Sequence, residues 1–246
     1  MTAHPRPGDL LIVHSSDLHV DDSYTARGHG GDGTVGLRAV LHTARAVNAD
    51  LVLLAGDIFE HNRLKLDLLD ATARLLNDAG VPVVILPGNH DPIIPESAYR
   101  RGGVSDPDNV HVLGVTHDEA VLLPEFELEI WGHAHRDYTN MSPLRSPRPR
   151  STRWQIATAH GHYEAVPDLQ QKHHPSWLID QAGIDATGAD YVALGHWNIP
   201  VQVSDGAVTA YYSGSPELAN TVNLVRLTQA GSVEVTREAI LWDHDD

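Results

Sequence analysis

Two packed sheets with helices outside them, an α/β architecture, are predicted for this 246-residue chain by three features. Five short runs rich in Val, Ile and Leu, at 10–14, 51–55, 81–86, 155–159 and 191–194, read as buried strands. Segments of helical periodicity separate the first three runs. The second half carries further short apolar runs, several of them alternating with polar residues, which read as strands whose two faces meet different surroundings.

The first strand, 10–14, leads to Asp17 and His19 and is followed by a glycine-dense loop at 28–36. A helix over 35–48 sets Leu37, Val40, Leu41 and Val47 on one side. The strand at 51–55 runs into Asp57. A second helix, 63–79, carries Leu64, Leu68, Leu75 and Leu76 at helical spacing, with Gly80 just past its end. The strand at 81–86 leads to Asn89 and His90, so the first 90 residues read strand, helix, strand, helix, strand. Strands are expected at 110–113, 121–123 and 127–131, and again at 201–204, 208–212, 222–227 and 233–240. Between these groups, the runs at 155–159 and 191–194 lead to His160 and His196. A helix is expected over 175–182, where Trp177, Leu178 and Gln181 can share a face. No linker or internal repeat divides the chain, so one domain over 1–246 is expected.

Composition narrows the chemistry. Cysteine is absent, which excludes disulfides and thiolate metal sites and leaves nitrogen and oxygen ligands. No apolar stretch approaches the roughly 18 residues needed to span a bilayer, and the start has no cleavage-site pattern, so a cytoplasmic protein without membrane partners is expected. The net charge of −16 repels nucleic acid and anionic membranes at long range. A local exception is a proline-containing basic stretch with Arg136, Arg145, Arg148, Arg150 and Arg153, read as an irregular solvated loop in preference to a phosphate-contacting one.

Each of the five strands ends at a carboxylate, histidine or asparagine. In an open α/β sheet, ligands collect beyond the carboxyl ends of the strands. The clusters therefore predict a distributed metal site. Imidazole, carboxylate and amide oxygen suit divalent ions of intermediate hardness, and two such ions can clamp a phosphoryl group. A carboxylate between the ions offsets their repulsion, and Asp57 is the candidate for that bridge.

Asp17-Leu18-His19, Gly56-Asp57, Gly88-Asn89-His90-Asp91, His160-Gly161 and Gly195-His196, in that chain order, resemble the calcineurin-like metallophosphoesterases over about residues 10–216. The resemblance implies a four-layer α/β/β/α sandwich of two mixed sheets flanked by helices. It implies one metal held by Asp17, His19 and Asp57 and another by Asp57, Asn89, His160 and His196, with manganese as the divalent ion and iron or zinc as alternatives. It further implies hydrolysis of a phosphate-ester substrate by a metal-bound hydroxide, with His90 over the phosphoryl group and Asp91 positioning it. Phe59, Asn62-Arg63, the 191–196 block and Tyr212-Ser213-Gly214-Ser215-Pro216-Glu217 are most similar to the branch containing DNA double-strand-break repair exonucleases. The chain ends about where that branch's catalytic domain does, which implies no DNA-gripping domain and no ATPase-binding region.

Three departures qualify the resemblance. The family's Gly-His-x-His block reads Gly195-His196-Trp197-Asn198 here, so the neutral amide of Asn198 replaces an imidazole ligand. The branch's histidine three residues after the bridging aspartate is Glu60, with His61 beside it. His61 is read either as swinging into the site with Arg63 to bind substrate or as solvent-exposed. A second Gly-His-x-His, at 132–135, precedes the His160 block, and His133 and His135 are read as ordinary strand-end histidines. His160 is preferred over His162 as ligand because it ends the strand directly. His173 and His174 are read as surface residues or part of a substrate-facing loop. The expected function is a metal-dependent phosphoesterase acting on a nucleotide, a phosphodiester or a nucleic-acid end. The alternatives are a DNA repair exonuclease proper and a non-catalytic or single-metal relative weakened by Asn198 and Glu60. Oligomeric state is left open.

Overall fold

The apolar runs settle into two six-stranded mixed sheets in a computed structural model that describes residues 8–139, 141–167 and 177–242. The first sheet is ordered β14 (Val233–Ala239), β13 (Thr221–Leu227), β1 (Leu10–Ser15), β2 (Leu51–Ala55), β3 (Val83–Leu86) and β4 (Val110–Val112). β1 to β4 are parallel, with β13 antiparallel to β1 and β14 to β13. The second sheet is ordered β11 (Val201–Asp205), β12 (Thr209–Tyr212), β10 (Tyr191–Gly195), β7 (Trp154–His160), β6 (Leu128–Trp131) and β5 (Ala120–Leu123). Its central four strands are parallel and its edges antiparallel. A short parallel pair joins β8 (His162–Tyr163) to β9 (Leu178–Ile179).

Strand period explains the layering. In β7 and β10, Trp154, Ile156, Tyr191 and Ala193 face a core shared with β1, β2 and β3. The alternate residues Ala157, Ala159, Val192 and Leu194 face a second core closed by Ile184 of α4 (Gln181–Thr187). On the far side of the first sheet, α2 (Val35–Ala46) and α3 (Leu66–Asn77) bury Leu37, Val40, Leu41, Leu69 and Leu76. The result is the four-layer α/β/β/α arrangement. Each fully buried Ile, Leu or Val contributes about 1.5–3 kcal/mol relative to leaving it exposed, which outweighs the weak preferences of the loops between strands.

The expected helix over 175–182 is corrected. Leu178 and Ile179 pair with His162 and Tyr163 as a strand, and the helix starts at Gln181. The physical reason is Asp180, whose Oδ1 accepts the Gly183 N–H at 2.7 Å and caps the helix there. Residues 175 and 176, like His173 and His174, lie outside the described residues. Two short helices were not anticipated. α1 (Tyr24–Gly28) follows Asp21, which accepts the backbone N–H groups of Ser23 and Tyr24, and α5 (Pro216–Ala219) starts on a proline.

Most of the basic stretch is held by the protein's own carboxylates. Arg148 Nε lies 3.2 Å from the buried Glu129, Arg150 Nη1 2.7 Å from Asp190, and Arg153 sits over the Trp154 ring while facing Glu127. No helix of the described residues is long and apolar enough to cross a membrane.

Candidate active site

Parallel strands carry their carboxyl ends to one edge, and there the segments after β1 and β2 run side by side. The N–H groups of Asp17 and His19 donate to the carbonyls of Gly56 and Asp57, at 3.0 and 3.1 Å. Asp17, His19, Asp57 and His196 all adopt positive φ, between 47° and 107°. Such backbone strain in non-glycine residues persists where the surroundings over-determine it, and it clusters at functional sites. Two glycines make the approach of the chains feasible: a Cβ at Gly56 would overlap the His160 ring, and one at Gly88 the Asp57 carboxylate.

Asp57 is the centre of the cluster. Its Oδ1 accepts the His90 backbone N–H at 2.9 Å, and its Oδ2 lies 3.1 Å from His160 Nε2. The other ring nitrogen of His160, Nδ1, donates to the Ala55 carbonyl at 2.9 Å, which leaves Nε2 facing Asp57 and the Asn89 side-chain oxygen at 3.0 Å. That is the arrangement of a metal-binding imidazole oriented through its second nitrogen. Across the cleft, Asp17 Oδ2 accepts the His196 N–H at 2.9 Å and the Ser16 hydroxyl. The ligand atoms of Asp17, His19 and Asp57 lie within 4.8 Å of one another, and so do those of Asp57, His160 and His196. Asp57 belongs to both groups.

The electrostatics fit a site made for cations. Burial raises the Asp17 carboxyl, and the neighbouring Asp57 charge adds to this against the opposing pull of His160. Burial would raise Asp57 too, but His160 and His90 hold it well below the usual carboxylate range. Burial alone would depress His160, yet Asp57, by charge and hydrogen bond, and then Asp17 push it up to about 9. His196 is lowered to about 4 by burial and by the charge of His160. Two buried carboxylates thus recruit a positive charge, and divalent ions suit the same donors.

The structure redistributes the expected supporting roles. Asp91 does not meet the His90 ring. Its carboxylate accepts from Gly88 N (2.6 Å), Ile58 N (2.8 Å), Phe59 N (3.0 Å) and the Tyr99 hydroxyl (2.6 Å), clamping the loop after β3 to the loop after β2. Burial and the Asp57 charge raise it to about 6. Full burial leaves Asp91 to these donors, while the His90 side chain is 39% exposed. The partner of His90 is Glu60: His90 Nδ1 is 3.0 Å from the Glu60 carbonyl and 3.6 Å from its carboxylate. His61 is turned elsewhere, accepting the Arg63 N–H at 3.1 Å and grouping with Asp21 and Asp22, and Arg63 is exposed. His162 meets the Trp197 indole N–H at 3.2 Å, whereas His160 meets Asp57.

Beside the first ligand group opens a cavity of about 400 Å³ lined by Asp17, His19, Tyr24, Glu60, Asn198 and Glu217, among others. Asn198 is exposed on this wall. Two contributors were missed by sequence reasoning. His135 is fully buried, donates through Nε2 to the His160 carbonyl at 2.9 Å, and packs its ring against that of His160. Trp177 packs against both His135 and His196. The second Gly-His-x-His signalled His135, but only in a position read as an ordinary strand end, and no local signal marks Trp177. His133 is tied to the Arg145 carbonyl at 2.7 Å.

Comparison with known proteins points one way. The sequence model of the family described as Calcineurin-like phosphoesterase matches residues 10–200. The chain is 27% identical over 209 residues to an uncharacterized metallophosphoesterase, YhaO of Bacillus subtilis (strain 168), covering 76% of this chain and 48% of that protein. It is 24% identical over 226 residues to the DNA double-strand break repair protein Mre11 of Archaeoglobus fulgidus, covering 82% of this chain and 49% of that one. The chain spans about half the length of the curated relatives it matches. The crystal structure of TT1561 of Thermus thermophilus is similar in fold, with a TM-score of 0.59 at 14% identity over 92% of this chain and 98% of that one. A further solved structure reaches a TM-score of 0.62 at 14% identity over 95% of this chain.

Proposed function

Given that the chain belongs to the calcineurin-like phosphoesterase family, we propose that it hydrolyses phosphate esters with two divalent cations held over its strand ends. The observation that carries this reading is the position of Asp57 in both ligand groups, Asp17–His19–Asp57 and Asp57–His160–His196. Manganese suits the mixed imidazole, carboxylate and amide donors, with iron or zinc as alternatives. Bound cations of this kind supply Lewis acidity and make water a nucleophile at neutral pH.

The chain's own residues do the rest. Asp57, shared by the two ligand groups, would hold both cations, and Asn89 places a neutral oxygen beside His160 Nε2. His90 stands ring to ring with His19, at 4.9 Å between centroids, and its Nδ1 is engaged by the Glu60 carbonyl. Its other nitrogen is then directed to the substrate, where it stabilises the phosphoryl charge or protonates the leaving oxygen. Asp91 holds the two loops that carry Asp57 and His90 at fixed separation.

A nucleotide, a small phosphodiester or a nucleic-acid end is the proposed substrate range. The Mre11 relatives favour a second reading, a DNA exonuclease. The net charge of −16 weighs against affinity built on many phosphate contacts.

The test is hydrolysis of bis(p-nitrophenyl) phosphate by the purified chain with added manganese, with Asp57→Ala and His90→Ala abolishing it. Full activity in either variant refutes the mechanism. DNA ends assayed beside cyclic and linear nucleotides separate the two substrate readings: a nuclease loses affinity steeply with rising salt, and a small-ester hydrolase does not.

A further inference from the structure

We infer that the cavity beside the first ligand group receives an alcohol arm of the ester and that Glu217 sets its charge, so that the substrate is a phosphodiester whose arms bear no further phosphate. The inference rests on the two-cation reading above and adds the substrate class to it.

Two short helices help to build the cavity. α1 is tied to the first ligand group where the Thr25 hydroxyl donates to the His19 carbonyl at 3.1 Å. α5 is joined to Asn198, another lining residue, by the Ser215 N–H, which donates to the Asn198 carbonyl at 3.2 Å. Asp17 and His19 belong both to the cavity wall and to the first ligand group. A phosphoryl group held over that group therefore extends an arm into the cavity. Its volume of about 400 Å³ is that of a pocket for a small molecule. Tyr24 and Leu218 line it while 84% and 72% exposed, and they offer the arm apolar surface to lie on.

Charge decides which arm fits. Beyond Asp17, the carboxylates lining the cavity are Asp21, Glu60 and Glu217, and no Lys or Arg lines it among the described residues. Asp21 is engaged by the Ser23 hydroxyl at 2.8 Å and the Tyr24 N–H at 2.5 Å, and Glu60 Oε2 faces His19 Nδ1 at 2.7 Å. Glu217 is held more loosely: its partner among the described residues is His29, 3.4 Å away, with both side chains 37% exposed. Exposed pairs of this kind are weak, so the Glu217 carboxylate is left to act on what enters the cavity. Cations over the strand ends draw in the reacting phosphoryl group, and the acidic wall then acts on what that group carries. An arm that continues as a nucleic-acid strand brings its next phosphate against this wall, whereas an uncharged nucleoside or other alcohol meets no such repulsion.

The test measures two competitors of bis(p-nitrophenyl) phosphate hydrolysis by the full chain, at one ionic strength and one free manganese concentration. One is dithymidine monophosphate, whose two arms are uncharged. The other is the same molecule carrying a further phosphate on each outer hydroxyl. Inhibition constants are read whether or not either compound is turned over. The native chain is expected to bind the uncharged form more tightly. Glu217→Gln is expected to narrow the ratio of the two constants by about threefold and Glu217→Lys by about tenfold, the effect of one and of two units of exposed charge. Glu127→Lys alters the net charge as much as Glu217→Lys, but Glu127 precedes β6 at the amino end of that strand and is expected to leave the ratio unmoved. Melting temperatures check the folding of each variant. A native chain that binds the phosphorylated form as tightly overturns the inference, as does a ratio unmoved in both Glu217 variants, an equal shift in Glu127→Lys, or competition by neither compound. A native chain that does not hydrolyse bis(p-nitrophenyl) phosphate with manganese overturns the hydrolytic reading itself, and the inference falls with it.

Discussion

Asp57 and His160, 103 positions apart, meet at 3.1 Å between the two sheets, with Asp57 Oδ2 facing His160 Nε2. This contact joins the end of β2 to the end of β7 and makes one site of the two halves of the chain. Everything proposed for the chemistry depends on it, because among the described residues Asp57 alone is common to the Asp17–His19 group and the His160–His196 group.

Replacing Asp57 by Asn keeps the size of the side chain and removes its charge. The expected outcome is loss of manganese binding at both positions and of diester hydrolysis. Calorimetric metal titration and hydrolysis of bis(p-nitrophenyl) phosphate check it, and a variant that still binds two ions contradicts the bridging role.

His90 stands beside the Asp57–His160 pair, its N–H donating to Asp57 and its ring 4.9 Å from that of His19 between centroids. His90→Gln is expected to lower kcat by roughly 10²–10⁴-fold, the usual contribution of a positioned acid or base, while both metal equivalents remain. Loss of metal together with activity would make His90 a ligand instead.

Among the described residues Asp91 accepts four hydrogen bonds, from Gly88, Ile58, Phe59 and Tyr99, and none from the His90 ring. Asp91→Ala leaves buried donors on Gly88, Ile58, Phe59 and Tyr99 without their acceptor, at about 1–3 kcal/mol for each left unsatisfied. The expected result is a loss of several kcal/mol in urea unfolding. A variant as stable as the native chain shows that water or rearrangement replaces the clamp.

His14 is fully buried between the sheets, its Nδ1 2.9 Å from the Tyr191 hydroxyl, and burial lowers it to about 3. The unfolded chain takes up this proton as pH falls below about 6.5, whereas the folded chain does not until about 3. Stability from the neutral ring is therefore complete above the unfolded value and falls by roughly 1.4 kcal/mol per pH unit between the two. Chemical denaturation of His14→Gln from pH 7 to 4 should show a shallower decline than the native chain. Equal slopes would remove His14 from the account.

Much of the fold was legible because its central strands are buried on both faces and read as unbroken apolar runs. Helices α2 and α3 were legible from their apolar spacing, although α3 turns Leu69 and Leu76 fully inward and leaves Leu68 and Leu75 only partly covered. The start of α4 was not: two turns of weak periodicity at 175–182 lost to the Asp180 cap and to pairing of Leu178 and Ile179 with a distant strand.

The sequence by itself determined which residues stand at the strand ends, since parallel strands deliver Asp17, Asp57, Asn89, His160 and His196 to one edge whatever the loops do. Only the tertiary structure decided how the supporting side chains are shared out. Asp91 turned to backbone amides, Glu60 turned to His19 and His90, and His135 and Trp177 closed around His160 and His196. Strand-end position follows from local hydrophobic pattern and topology. Side-chain partnership depends on how two sheets face each other, and that is set by packing between residues far apart in the chain.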